Sequence, residues 1–218
     1  QGLATMNGTG EIVAGLVLKL MGANTNEVIS LVHERMERIN AALPPGVRAV
    51  PYYDQSELVN AAVTTMTTAL WQGALLVAVV LFLFLRGWRP SLIVVASIPF
   101  SVAFALVAMQ LFGVSANLMS LGGIAIAIGM MVDGAVVIVE NANRALAAAN
   151  GDDSKLRVVA IACAEVLQPL IFAILIVMVV FVPILTLQGV EGRTFRPLAF
   201  AVVFAMMGSL VFAVFLAP

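Results

Sequence analysis

The stretch "GGIAIAIGMMVDGAVVIVEN", Gly122 to Asn141, decides how this chain is read. It is apolar almost throughout. With its flanks it is long enough to cross a bilayer, whose hydrocarbon core of about 30 Å takes about 20 helical residues. Asp133 stands in its middle. Insertion scales put the cost of an ionised Asp at the centre of such a helix at roughly 2.5 to 3.5 kcal/mol. Protonation removes most of that cost. A carboxyl that takes up and releases a proton as its surroundings change is a proton carrier, and an ionisable residue within a membrane segment is read first as a functional site. The structural alternative is an Asp held in a network of cap or amide partners.

On a helical wheel at about 100° per residue, Asp133 shares a face with Gly122, Ile126, Gly129 and Glu140. Met119 lies within about 40° of that direction and Met131 nearly opposite. Glycines admit close approach of a neighbouring helix. This face is therefore expected to point into a helix bundle, with Gly122 and Gly129 as the packing positions near the acid. Glu140 follows Asp133 by seven residues, roughly 10 Å nearer the membrane surface at a rise of about 1.5 Å per residue. It reads either as a second member of a proton relay or as an interfacial residue paired with Arg144 at i, i+4. Asp133 is taken as the only acid well inside an apolar segment. An intramembrane aspartyl protease, which needs two carboxylates sharing a proton, is thus poorly supported.

The rest of the chain fits a membrane protein. Of its 218 residues 62% are hydrophobic and 11% charged, and the mean hydropathy is +1.08. A soluble domain runs nearer about half apolar and about a quarter charged. The net charge of −1 is uninformative, and no basic patch points to a nucleic-acid partner. The lone Cys163 sits in an apolar run and is read as a small buried hydrophobe. Five segments have membrane length: 66–85, 91–112, 118–139, 158–187 and 198–216. Pro99, Pro169 and Pro183 fall inside them, as membrane helices tolerate. The first and third connecting loops carry Arg86, Arg89, Arg144, Lys155 and Arg157, against Arg193 and Arg196 in the other two. The positive-inside rule places the first and third in the cytoplasm, and hence residues 1–60 outside it.

Residues 1–60 differ in kind from residues 61–218. "EIVAGLVLKL" (Glu11 to Leu20) reads as a strand, Asn24 to Leu43 as an amphipathic helix with an apolar stripe of Val28, Leu31, Val32, Met36 and Ile39, and "VRAVPYY" (Val47 to Tyr53) as a second strand. This β-α-β piece is too small to bury a core alone. His33 lies among Glu34, Arg35, Glu37 and Arg38 and reads as part of a solvated face. The chain lacks an initiator Met and stops within the apolar "VFLAP", so it is expected to be an internal piece of a longer protein.

"NLMSLGGIAIAIGMMVDGAVVIVENANRAL" (Asn117 to Leu146) resembles the acidic transmembrane helix of resistance-nodulation-division efflux pumps of the heavy-metal branch. "LPPGVRAVPYYDQSELV", "FLRGWRPSLIVVASIPF" and "TLQGVEGRTFRPLAF" carry the likeness along the rest of the chain. The resemblance implies a mostly α, polytopic fold: five transmembrane helices, the second to sixth of twelve, preceded by a partial ferredoxin-like α/β periplasmic porter subdomain. It also implies an inner-membrane homotrimer that joins a periplasmic adaptor and an outer-membrane channel. Such a pump is no enzyme and carries no resident cofactor; it exchanges a transported metal ion for protons.

Asp133 matches the proton-relay aspartate of these pumps, and Glu140 the acid of their "VEN" signature. The divalent-cation exporters carry a second aspartate where this chain has Ala127; the alanine form resembles the copper/silver exporters. The transmembrane methionine ladder of those exporters finds matches at Met119, Met131 and Met206, with a departure at Ile138. A thioether suits Cu(I) and related soft ions, although methionine is also an adaptable core filler. Cu(I)/Ag(I) is the expected cargo, with divalent metals or organic compounds as the alternative. The movement of the bundle is expected to reach the porter unit through Ser56 to Met66.

Overall fold

The computed structural model describes residues 4–6, 9–20, 25–85, 87–149 and 154–218. It forms two compact units, Gln1–Ala61 and Ala62–Pro218. The first holds a short antiparallel hairpin, β1 (Thr5–Met6) with β2 (Thr9–Glu11), and the helix α1 (Thr25–Ala42). The expected strands do not form: beyond Glu11 the segment to Leu20 is irregular, and so is Val47 to Tyr53. The partial ferredoxin-like subdomain is not confirmed: the described residues of this unit hold a helix and a two-stranded hairpin. β-prone residues become a strand only where a neighbour completes the ladder. Neither segment finds one among the described residues, so Val13, Leu16, Leu18 and Tyr52 stay exposed. A side chain ties the chain after α1 back to that helix instead. Asn40 Nδ2 donates to the Ala49 carbonyl at 3.0 Å, and the Ala49 N–H donates to Asn40 Oδ1 at 2.7 Å.

The helical unit is made of α2 (Gln55–Phe84), within which the boundary between the two units falls, α3 (Trp88–Leu111), α4 (Leu118–Ala148), α5 (Lys155–Val180), the short α6 (Val182–Leu185) and α7 (Gly189–Phe215). Five spans are long and apolar enough to cross a membrane, α5 and α6 together forming the fourth. Pro99 and Pro169 lie inside helices, whereas Pro183 stands in the first turn of α6, after α5 ends at Val180. α4 starts on a capping box: Asn117 Oδ1 accepts the Ser120 N–H at 3.0 Å, and Ser120 Oγ accepts the Asn117 N–H at 2.8 Å.

α4 and α7 form the centre, α3 packs on both, α5 lies along α4, and α2 is nearly bare apart from Leu81. The contacts are made by small residues. Ala105 and Ala108 of α3, Ala127 and Ala135 of α4, and Ala201 and Ala205 of α7 are buried. Without a hydrophobic drive between helices in lipid, close backbone approach and dispersion hold the bundle. The closest approaches occur at glycines: a Cβ added at Gly123 would meet the Leu198 carbonyl at 2.5 Å, one at Gly208 would meet Phe104 Cβ at 2.9 Å, and one at Gly134 would meet Leu170 Cδ1 at 3.2 Å.

Gly122 and Gly129, expected as the packing positions, meet nothing within 4 Å. The close contacts use a different side of α4, about 100° round the helix from Gly122. Gly123→Ala is therefore expected to destabilise the helical unit by about 1 to 3 kcal/mol through overpacking. Gly122→Ala is expected to be neutral or to stabilise it by up to about 1 kcal/mol through helix propensity. Thermal unfolding of the purified full-length protein checks both.

Candidate functional site

α4 divides its faces sharply. Gly123, Ile124, Ala127, Ile128, Met131, Val132, Gly134, Ala135, Ile138 and Val139 are buried. Met119, Ile126, Gly129, Asp133, Val137 and Glu140 form an exposed stripe at spacings of three, four and seven, the repeat of a single helix face. Ile126, Gly129 and Glu140 thus share the Asp133 face as the wheel expects, with Gly122 half-buried, and none of the described helices of the second unit covers that face. The expectation that it points into a bundle is not met by these five spans, because α4 meets its neighbours through the Gly123 and Ala127 side.

Among the described residues neither Asp133 nor Glu140 has a hydrogen bond or ion pair. The i, i+4 pair between Glu140 and Arg144 does not form; Arg144 Nη2 donates to Asn141 Oδ1 at 3.4 Å. Asn141 in turn donates through Nδ2 to the Ala162 carbonyl at 2.7 Å, tying the end of α4 to α5. Glu165 was missed by sequence reasoning. It is exposed on α5, a turn from the Asn141 contact, and has no partner among the described residues. The signal for it was there: an acid seven residues into the apolar run that begins at Val158.

The three methionines separate. Met131 and Met206 are buried, at 1% and 2% exposure, in the contact of α4 with α7, whereas Met119 is 37% exposed. Ser209, one turn along α7 from Met206, donates to the Met131 carbonyl, so Met131 and Met206 occupy adjacent layers. Met119 stands twelve residues before Met131 on α4, about 18 Å away at about 1.5 Å per residue, too far to share an ion with it. Ala127 is fully buried, and no group of three His, Cys, Asp or Glu that could hold a metal ion occurs among the described residues. Cys163 is buried, as expected.

The residues match the AcrB/AcrD/AcrF family model from 1 to 218. The chain belongs to that family. Several relatives that match the whole chain are named for cation efflux or metal resistance. It is 39% identical over 226 aligned positions to the cation efflux system protein CusA of Escherichia coli, covering all of this chain and 22% of that protein. It is 43% identical over 224 positions to the cobalt-zinc-cadmium resistance protein CzcA of Cupriavidus metallidurans, covering all of this chain and 21% of that protein. A crystal structure of a heavy metal efflux pump superposes with a TM-score of 0.80 at 36% identity, over 92% of this chain and 20% of that one. The chain thus spans about a fifth of the length of the relatives it matches. It is a membrane-embedded, multi-pass part of a transporter family.

In the first unit His33 is not merely solvated: its Nε2 lies 2.8 Å from Asp54 Oδ2. Asp54 also accepts the Ser56 N–H at 2.8 Å as α2 begins. Hydrogen bonds from Ser56, with a smaller contribution from His33, hold the Asp54 carboxyl below its ordinary value of 3.8. A carboxyl lowered on folding stabilises the folded state above its unfolded value and loses that effect as pH falls through the folded one. Protection of the Ser56 amide against hydrogen exchange should hold above pH 3.8 and weaken below it. Asp54→Asn should remove that pH dependence.

Proposed function

We propose that the chain is part of a proton-driven efflux pump of the bacterial inner membrane that exports heavy-metal ions. The observation that carries the reading is the exposed stripe of α4: Asp133 and Glu140 with Gly129 along a helix of membrane length. A lipid-facing surface has no use for an ionised Asp at its centre, since none of its surroundings repays the desolvation. The stripe is read as the face over which further helices of the full-length pump close, with Asp133 as the residue that takes a proton from the outer side and releases it to the cytoplasm. Glu140, nearer the surface, would pass that proton on. Residues 1–60 would lie in the periplasm, as part of a homotrimer joined to a periplasmic adaptor and an outer-membrane channel.

Cu(I) and Ag(I) are the preferred cargo. Ala127 supports them, because a fully buried alanine supplies no carboxylate for a divalent ion. Met119, Met131 and Met206 supply soft sulfur at three heights of the bundle. A second reading, divalent metal export, is favoured by the 43% identity to a cobalt-zinc-cadmium resistance protein.

Two measurements decide these points. Asp133→Asn in the full-length pump is expected to abolish metal tolerance and metal-driven proton flux in vesicles at unchanged abundance. Tolerance and flux at wild-type levels would sink the relay. For the cargo, the full-length pump is expressed in a host stripped of its own exporters. It is expected to restore growth on copper and silver, while growth on zinc or cobalt alone would transfer the assignment to divalent metals.

A further inference from the structure

Two side-chain hydrogen bonds tie α4 to another long helix among the described residues, and they bracket Asp133. One runs from Asn141 to the Ala162 carbonyl, eight residues beyond the acid. The other runs from Ser209 on α7 to the carbonyl of Met131, two residues before it. The Ser209 bond is unusual for a buried helical serine, whose hydroxyl ordinarily turns back onto its own helix. Ser97 does so, donating to the Val94 carbonyl at 2.6 Å, and Ser120 donates to the Asn117 carbonyl at 2.8 Å. Ser209 is 1% exposed and crosses to the neighbouring helix instead.

Its place is closely set. Next to it, Gly208 lets Phe104 of α3 come so near that an added Cβ would meet Phe104 Cβ at 2.9 Å. Further along the same contact, Gly123 brings α4 against the Leu198 backbone. The Met131 carbonyl belongs to the helical turn that closes on Ala135, and Asp133 lies within that turn. A donor on that carbonyl therefore acts on the helical turn that carries the acid.

We propose that Ser209 is a positioning residue for Asp133: through its hydrogen bond to the Met131 carbonyl it holds the Asp133 turn against α7 and so sets where the carboxyl stands when it exchanges its proton. This rests on the relay reading above. Few other charges lie on the packed elements. α3 carries Arg89 at its start, and α7 carries Glu191, Arg193 and Arg196 at its start. α5 carries Lys155, Arg157 and Glu165, and α4 itself carries Glu140 and Arg144 towards its end. None of these sits beside Ser209 in sequence or on its turn, so a change at Ser209 acts on Asp133 through geometry and not through a neighbouring charge.

The test uses the full-length pump carrying Ser209→Ala or Ser209→Thr. Two quantities are read across pH: labelling of Asp133 by a hydrophobic carbodiimide, which reacts with the protonated carboxyl and is quantified by mass spectrometry, and metal-driven proton flux in vesicles. In Ser209→Ala the half-maximal labelling pH is expected to move by half a unit or more, about threefold in proton affinity, and the pH optimum of flux to move with it. Ser209→Thr, which returns a hydroxyl, is expected to bring both back towards wild type. An unmoved labelling midpoint and pH optimum in Ser209→Ala overturns the proposal. So does a shift that Ser209→Thr leaves uncorrected at wild-type abundance.

Should Ser209→Ala lower pump abundance, Ser209→Cys is read the same way: it keeps the volume and weakens the donor, and an unmoved midpoint in it also overturns the proposal. Asp133→Asn tests the relay on its own. Full transport in that variant removes the relay, whereas the labelling midpoint at Asp133 still reports whether Ser209 positions the carboxyl.

Discussion

The contact on which the helical unit depends is the near touch of α4 and α7. It is made possible at Gly123, where an added Cβ would strike the Leu198 carbonyl at 2.5 Å, and it is locked by the Ser209 hydroxyl on the Met131 carbonyl. A helix has one circumference to share. Once the Gly123, Ala127 and Met131 side is spent on α7, α3 and α5, the side carrying Ile126, Gly129 and Asp133 is left outside. The exposed acidic stripe is thus a consequence of where the packing glycine lies, not an independent feature.

The way the bundle is held explains its composition. Lipid tails are as apolar as leucine, so burying large side chains between membrane helices gains little, and small residues that let backbones close up gain more. The central helices α3, α4 and α7 accordingly bury alanine, glycine and serine, with a few aromatic contacts such as Phe100 with Phe212 at 5.5 Å between ring centroids. α2 exposes Trp71, Leu75, Leu76, Leu83 and Phe84.

Energy source and cargo are written in different places. Asp133, the proposed relay residue, lies on the open face of α4. Of the residues proposed to bear on the cargo, Ala127, Met131 and Met206 are inside the α4–α7 core, where methionine also serves as ordinary filling, and Met119 is exposed.

Much of the fold was legible because membrane length and hydropathy are local properties. Five apolar runs, the amphipathic helix Thr25–Ala42 and the acid in the middle of α4 need no knowledge of neighbours. The periodicity of α4 also put Ile126, Gly129 and Glu140 on one face with Asp133, although Gly122 is half-buried and Val137 joins the face instead. The wheel could not say which of the adjacent glycines 122 and 123 would be pressed against another helix. Both admit close approach, and only the direction in which α7 lies chooses between them. Nor could β-prone composition make strands of Glu11–Leu20 and Val47–Tyr53, because a ladder needs a partner that the segment itself does not contain. The crossing of Ser209 to Met131 had no sequence signal at all: a serine in a helix can bond its own turn or a neighbour's, and the choice is made by how near the neighbour comes. The sequence by itself determined the number of spans, the acid and the kind of contact. The tertiary structure alone decided which face is packed, which is open and which hydroxyl bonds the Met131 carbonyl, since these depend on the distance between two backbones.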